Sequence, residues 1–312
     1  MAYIFTDIAI PGASSTLPMG LNDSGQIVGS YVDRSGHKHG FLRTGRNVTT
    51  IDAPGATATS ASGINNQGQI VGSYLDRLGH EHGFLDNNGR FTTLDAPGAA
   101  ATLPEDINDS GQIVGSTRTA GAHLIQANVF RYGQGRFTTI RVPGYPDGPA
   151  APIGGTYLHA SGIDNAGEIT ISAHNAPGSF SGDAFLAHPG GRFTDIVPPG
   201  TDLPPTVEGI NNRGQVVGNL WVTVPQPNGE GIGHNRVYLL DHGRFTSLEA
   251  SATANTYAQD LNNAGLVVGT YEDASGTEHG FLATPAPARV STTTVQGATA
   301  PGFIRPATPV PA

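Results

Sequence analysis

Gly63-Ile64-Asn65-Asn66-Gln67-Gly68-Gln69-Ile70-Val71-Gly72 decides the fold, because its central phrase recurs six times. An aliphatic residue is followed by Asn or Asp, then two variable residues, then Gly and an apolar run. The other copies start at Leu21-Asn22, Ile107-Asn108, Ile163-Asp164, Ile210-Asn211 and Leu261-Asn262. Successive Asn/Asp residues are 43, 43, 56, 47 and 51 positions apart. A period of this length is that of a propeller blade. Gly suits the left-handed position of a tight hairpin, so the phrase reads as a turn between two strands.

The second repeat predicts four strands, at Ser60–Asn65, Gln69–Asp76, Glu81–Asp86 and Arg90–Asp95. Apolar, aromatic and Thr residues fill them, and Gly, Asn, Asp or Pro separate them. The last repeat offers Ala258–Asn262, Leu266–Glu272 and Glu278–Ala283 but lacks a fourth strand. Phe5-Thr6-Asp7-Ile8 matches Phe91-Thr92-Thr93-Leu94 and supplies it. The expectation is an all-β, six-bladed propeller of four-stranded blades over residues 1–284, its last blade closed by the N-terminal strand. Residues 285–312 form a Pro/Ala/Thr-rich tail.

Composition agrees. The 312 residues include 44 Gly and 23 Pro, roughly a fifth of the chain against about an eighth on average. Charged residues make up 13%, about half the usual share, which disfavours helical bundles. Cys is absent, which excludes disulfides, thiolate metal centres and Cys nucleophiles. A net charge of −9 disfavours a nucleic-acid partner. No apolar run is long enough to span a membrane, and the first residues read as strand rather than as a secretory signal. A monomer is expected.

Loops in a propeller alternate between two faces. The Asn-to-Gly turns have one length throughout, so that face is constant. The other face varies: Leu94 to Asn108 is 14 residues, whereas Ile140 to Asp164 is 24. Gly72 to Gly83 is 11, whereas Gly218 to Val237 is 19. Unequal loops on a uniform scaffold point to function on the unequal face. The two long insertions, Val142–Tyr157 and Asn219–Asn235, carry Tyr145, Tyr157 and Trp221, the chain's one Trp. Such aromatics either stack on a ligand or pin their loops.

Histidines concentrate there too. Nine of the 11 fall on or near the variable face: His37, His39, His80, His82, His123, His159, His174, His234 and His279. His188 and His242 fall on the constant face. Residues i and i+2 of a strand point the same way, so His37/His39 and His80/His82 each offer a pair for a metal or an anion. His39, His82 and His279 precede a core Phe in His-Gly-Phe-Leu, where a hydrogen-bonding role within the ring is the competing reading.

The innermost strand of a blade lines the axis. Met19, Ser62, Glu105, Ser161, Glu208 and Gln259 stand two residues before each aliphatic of the repeat. Alternation directs them toward the channel, where Glu105 and Glu208 could do acid–base work or hold a cation; a hydrated polar channel is the competing reading. Asp106-x-Asn108-x-x-Gly111 has part of a calcium-loop spacing but no bidentate Glu, and the hairpin reading covers all six copies.

Gly63–Gly72 together with His82-Gly83-Phe84-Leu85 resembles the HAF-repeat family of bacterial extracellular repeat proteins. The family's His-Ala-Phe stands here as His-Gly-Phe three times and as Asp183-Ala184-Phe185 once. The resemblance covers nearly all of the chain except the tail. It implies a propeller-like fold and an extracellular or periplasmic setting, and it carries no catalytic set.

These readings lead to a ligand-binding propeller with one small-molecule or glycan site on the variable face over the channel. Trp221, Tyr145, Tyr157, His39, His82, His279, Glu105 and Glu208 are its candidate contacts. The rival is a hydrolase or lyase in which His159, His174 or His234 acts as acid or base or holds a divalent metal.

Overall fold

The computed structural model describes residues 3–119, 127–145, 157–174, 182–198, 205–225, 231–248 and 255–286. The tail and His123 lie outside the described residues. The strands form six antiparallel blades around one axis.

Blade 1 comprises Ser15–Leu21, Gln26–Val32, Lys38–Thr44 and Asn47–Ile51, from axis to rim. Blade 2 is Ala58–Ile64, Gln69–Leu75, Glu81–Asn87 and Arg90–Leu94. Blade 3 is Ala101–Ile107, Ile113–Arg118, Ala127–Gly133 and Arg136–Ile140. Blade 4 is Tyr157–Ile163, Ile169–His174, Gly182–Ala187 and Phe193–Asp195. Blade 5 is Thr206–Ile210, Val216–Pro225, Gly231–Asp241 and Arg244–Leu248. Blade 6 joins Thr256–Leu261, Val267–Glu272 and Glu278–Pro285 to the N-terminal strand Tyr3–Ile8. That strand pairs antiparallel with the third, from Tyr3 opposite Pro285 to Ile8 opposite Gly280. No helix is long and apolar enough to cross a membrane among the described residues.

The repeated phrase earns its residues one by one. Asn65 Oδ1 accepts the backbone N–H groups of Gln67 and Gln69, at 3.1 and 3.0 Å. Gly68 then closes the turn at φ +76°, a conformation that costs a residue with a Cβ. Asn65 Nδ2 reaches the next blade and donates to the Asn108 carbonyl at 3.1 Å. The turn residue is therefore also a joint between blades.

Packing lies between sheets. Val28 and Ile51 of blade 1 pack with Ile64, Ile70 and Phe84 of blade 2, all below a tenth exposed. The Phe of each His-Gly-Phe-Leu copy is essentially inaccessible: Phe41 0%, Phe84 1% and Phe281 1% exposed. Phe84 explains the Gly of Gln69-Ile70-Val71-Gly72. A Cβ on Gly72 would lie 3.0 Å from its ring and 2.0 Å from the Ser60 carbonyl, inside van der Waals contact.

Two expectations change. Each innermost strand carries a β-bulge at the residue read as channel-facing: Met19, Ser62, Glu105, Ser161, Glu208 and Gln259 all stand where the register shifts. Simple alternation fails there, because a bulge puts two residues opposite one. The described part of the insertion Asn219–Asn235, residues 219–225 and 231–235, is strand rather than loop. It lengthens the second and third strands of blade 5, which stay in register from Val216 opposite Leu240 to Pro225 opposite Gly231.

Candidate functional site

Two rings of hydrogen bonds surround the axis on the constant face. In one, the second residue of each turn donates its backbone N–H to the same side chain of the next blade. Asp23 donates to Asn66, Asn66 to Asp109, Asp109 to Asn165, Asn165 to Asn212, Asn212 to Asn263, and Asn263 to Asp23, all at 2.7–2.9 Å. This ring is closed. In the other, the first residue donates through Nδ2 to the next blade's carbonyl. That ring has a gap at blade 4, because Asp164 has no amide to donate.

The rings line an axial cavity of about 60 Å³, to which all six blades contribute. Asp106 and Asp260 enter it from blades 3 and 6. The other blades have Gly20, Gly63, Gly162 and Gly209 at this position, so the pattern Gly, Gly, Asp occurs twice around the ring. Each Asp uses both oxygens on backbone. Asp106 accepts from Ile107 at 2.7 Å and Ile163 at 2.8 Å. Asp260 accepts from Leu261 at 2.7 Å and Leu21 at 3.0 Å. Burial pushes the Asp106 carboxyl up to about 6. Burial, reinforced by the charge of Asp106, raises Asp260 well above the usual range. The partial calcium-loop spacing at Asp106 is thus explained by backbone acceptance.

Nearer the variable face, blades 3, 4 and 5 bring three titratable groups together. His159 Nε2 lies 3.3 Å from Glu105 Oε1. Glu208 accepts from Thr206 Oγ1 at 2.7 Å and Asn219 Nδ2 at 3.1 Å. Burial pulls the His159 imidazolium down, but Glu105 and Glu208 outweigh it and leave the group raised. Burial raises Glu208, while His159, Thr206 and Asn219 partly offset the shift. The Tyr157 ring is nearly parallel to that of His159, with centroids 6.4 Å apart. Its phenol is raised by burial and by Glu105, with Arg118 opposing. Arg118 Nη1 pairs with Glu81 at 2.7 Å, and its Nε is buried with no acceptor among the described residues. An imidazole, two carboxyl groups and a phenol therefore converge near a guanidinium. That is the equipment for binding a polar solute and for moving a proton.

The remaining sequence candidates sit elsewhere. Tyr145 donates to Asp183 at 2.6 Å and packs on Phe185, fastening the segment after blade 3 to blade 4. Trp221 lies over Gly233, where a Cβ would be 2.3 Å from the indole, so it sits within the blade 5 hairpin. His234 is 5% exposed, and its Nε2 accepts from Arg236 Nε at 3.1 Å. His174 pairs by backbone with Tyr157 and Gly182; its side chain lies outside the described residues. His39, His82 and His279 each stack on a Tyr of their own blade, at 5.1–5.2 Å, and pair with carboxylates of that blade. The structure therefore brings together Glu105, His159, Glu208 and Tyr157, and leaves the other candidates apart.

Sequence reading missed Arg118, Glu81 and Asp260, and it noticed Asp106 only through its partial calcium-loop spacing. It also missed a cleft of about 470 Å³ on blade 3, lined by Ser110, Gln112, Arg131 and Thr138 among others, and one of about 360 Å³ between blades 3 and 4, which shares Arg131 and Thr138 with the first.

No protein-family model matches the chain, and no curated protein matches it. Solved structures do. The Hadza microbial sialidase Hz136 matches at 11% identity and a TM-score of 0.52, covering 87% of this chain and 65% of that one. YjhT matches at 12% identity and 0.51, covering 89% and 97%. TolB from Acinetobacter baumannii matches at 12% and 0.51, covering 84% and 64%. At such identities the likeness speaks for architecture alone: the chain is an all-β propeller of six four-stranded blades.

Proposed function

We propose that this propeller binds one small molecule or glycan at the variable-face end of its channel, against Glu105, His159, Glu208, Tyr157 and Arg118. The observation that carries the reading is the 3.3 Å pair of Glu105 and His159 with Glu208 beside it. Repeat symmetry does not require it: the places of His159 are taken by Leu17, Ser60, Leu103, Thr206 and Tyr257 in the other blades. A structural polar ring would repeat; a single recognition site would not. Buried charges next to a guanidinium favour a solute rich in hydroxyl or carboxylate groups. The HAF-repeat resemblance supports an extracellular or periplasmic setting, and the self-contained ring supports a monomer.

A second reading uses the same groups in a hydrolase or lyase. A His raised by two carboxylates, 3.3 Å from one of them, and a Glu raised by burial supply the titratable groups that general acid–base chemistry needs. The test is a glycan-array and small-molecule screen, followed by calorimetric titration of the strongest hit against H159Q, E105Q and R118A. Loss of more than about tenfold in affinity, with each variant still folded, supports the site. Unchanged affinity in all three discards it. Turnover of the hit by the parent chain, abolished in H159Q, selects the enzyme reading.

A further inference from the structure

We propose that the rims of blades 1 and 2 each hold a divalent transition-metal ion, zinc in class, on Asp33, His37 and His39 and on Asp76, His80 and His82. Neither site belongs to the channel cluster.

The ligands are two His and one carboxylate on one hairpin. Asp76 Oδ1 is fixed by the backbone N–H groups of Leu78 and His80, at 2.7 and 2.8 Å. That turns Oδ2 toward two imidazoles. It lies 3.2 Å from His80 Nδ1 and 3.5 Å from His82 Nε2, and the three ligand atoms all lie within 4.8 Å of one another. Bonds of about 2.0–2.1 Å to a tetrahedral ion place ligand atoms roughly 3.4 Å apart. Only the exposed His80 ring must close in. Blade 1 repeats the Asp contacts, with Asp33 Oδ2 3.6 Å from His37 Nδ1 and 3.5 Å from His39 Nε2. Among the described residues only the blade 2 triad has all three ligand atoms within 4.8 Å of one another, so both blade 1 imidazoles must close in.

The outer groups are also those of a metal site. His82 Nδ1 faces both oxygens of Asp95 at 3.0 Å, and His39 Nδ1 faces Asp52 at 2.9 and 3.0 Å. A carboxylate there makes Nδ1 the donor and leaves the Nε2 lone pair pointing at the other Asp, as in carboxylate–histidine–metal triads. Tyr74 and Tyr31 stack on the two rings and hold them in place.

Blade 6 is a built-in comparison. Its hairpin reads Asp273-Ala274-Ser275-Gly276-Thr277-Glu278-His279, with Thr277 in place of the first His. Ala9 stands where blades 1 and 2 have Asp52 and Asp95. With no carboxylate behind it, His279 pairs its Nε2 directly with Asp273 at 2.8 Å. Where the rear carboxylate is present, the same contact opens to 3.5 Å in both blades. Two acceptors facing each other at that distance call for a cation between them, a proton or a metal ion. The added His selects the metal.

The experiment is equilibrium dialysis of the full chain against micromolar Zn²⁺, with bound metal counted by mass spectrometry. H80A and H37A each remove an exposed ring, so folding is not at risk. Each is expected to lose about one equivalent, and the double variant two. D95A should weaken the blade 2 site about tenfold or more. H159Q should leave the count unchanged, which separates this proposal from the channel site. No retained zinc in the parent chain, an unaltered count in the double variant, or a loss caused by H159Q would overturn it.

Discussion

Asn263 donates its backbone N–H to Asp23 Oδ1 at 2.9 Å and its side-chain amide to Asp23 Oδ2 at 2.7 Å, joining the last blade to the first. Asp23 also accepts from Asn66 Nδ2 at 3.0 Å. Asp23→Ala removes both carboxylate oxygens and with them three hydrogen bonds, two of them across the seam. A loss of about 1–2 kcal/mol is expected, read as a lower urea midpoint. Asp23→Asn should cost less, because Asn212 fills the same place between two Asn neighbours. Equal losses in the two variants would contradict this account.

Asp164 leaves the inner ring open. Its neighbours in the ring, Asn108 and Asn211, donate through Nδ2 to the next carbonyl at 2.9 Å, and Asp164 has nothing to donate to Asn211. Burial raises its carboxyl, and the charge of Glu168 adds to the shift. Asp164→Asn should stabilise the protein by about 1 kcal/mol at pH 7. The raised carboxyl makes the ionised form the costly one, so the gain should shrink as pH falls toward 4. Thermal denaturation at the two pH values decides it; a destabilised variant at pH 7 sinks the idea.

Ile8 anchors the closing strand. It is 2% exposed and packs in one cluster with Phe41 of blade 1 and Val268 of blade 6. Ile8→Ala should cost about 2–5 kcal/mol by urea unfolding. A cost under about 1 kcal/mol would mean that blade 6 stands without its fourth strand.

Asp260 and Asp106 share the axial cavity, and both carboxyls are raised. A raised Asp binds its proton in the folded chain while the unfolded one has released it. Stability is therefore lost as pH rises from about 4 through about 6. Asp260→Asn loses a backbone acceptor at every pH but escapes that penalty. Its destabilisation relative to the parent should be larger at pH 4 than at pH 7. The opposite order would show that the pair is ionised throughout.

The blades were legible because the Asn-x-x-Gly turn leaves the same mark on every copy. The channel was legible only in part. Alternation placed Glu105 inward and therefore Asp106 outward, yet the bulge at Glu105 lets Asp106 line the axial cavity. No residue type announces a bulge of this kind in advance. The rim triads were half visible: His80 and His82 stand two apart, and Asp76 precedes them by a fixed turn. Asp95 is 13 residues from His82 and meets it only through strand pairing. Arg118 and Glu81 come from different blades, 37 residues apart, so their pairing depends on the angle between sheets.

Tyr271 reaches back 264 positions to hydrogen-bond Asp7. Of the propeller's strands, Tyr3–Ile8 is therefore made before all the others and paired only after them. Until the third strand of blade 6 has been made, Tyr3–Ile8 has no partner, and the free edge of the nascent ring is exposed to other chains. A finished chain whose seam has not yet closed keeps both halves exposed, and two such chains hold complementary edges. Misassembly of this protein should accordingly take the form of end-to-end exchange between copies, with each chain's first strand completing a neighbour's last blade.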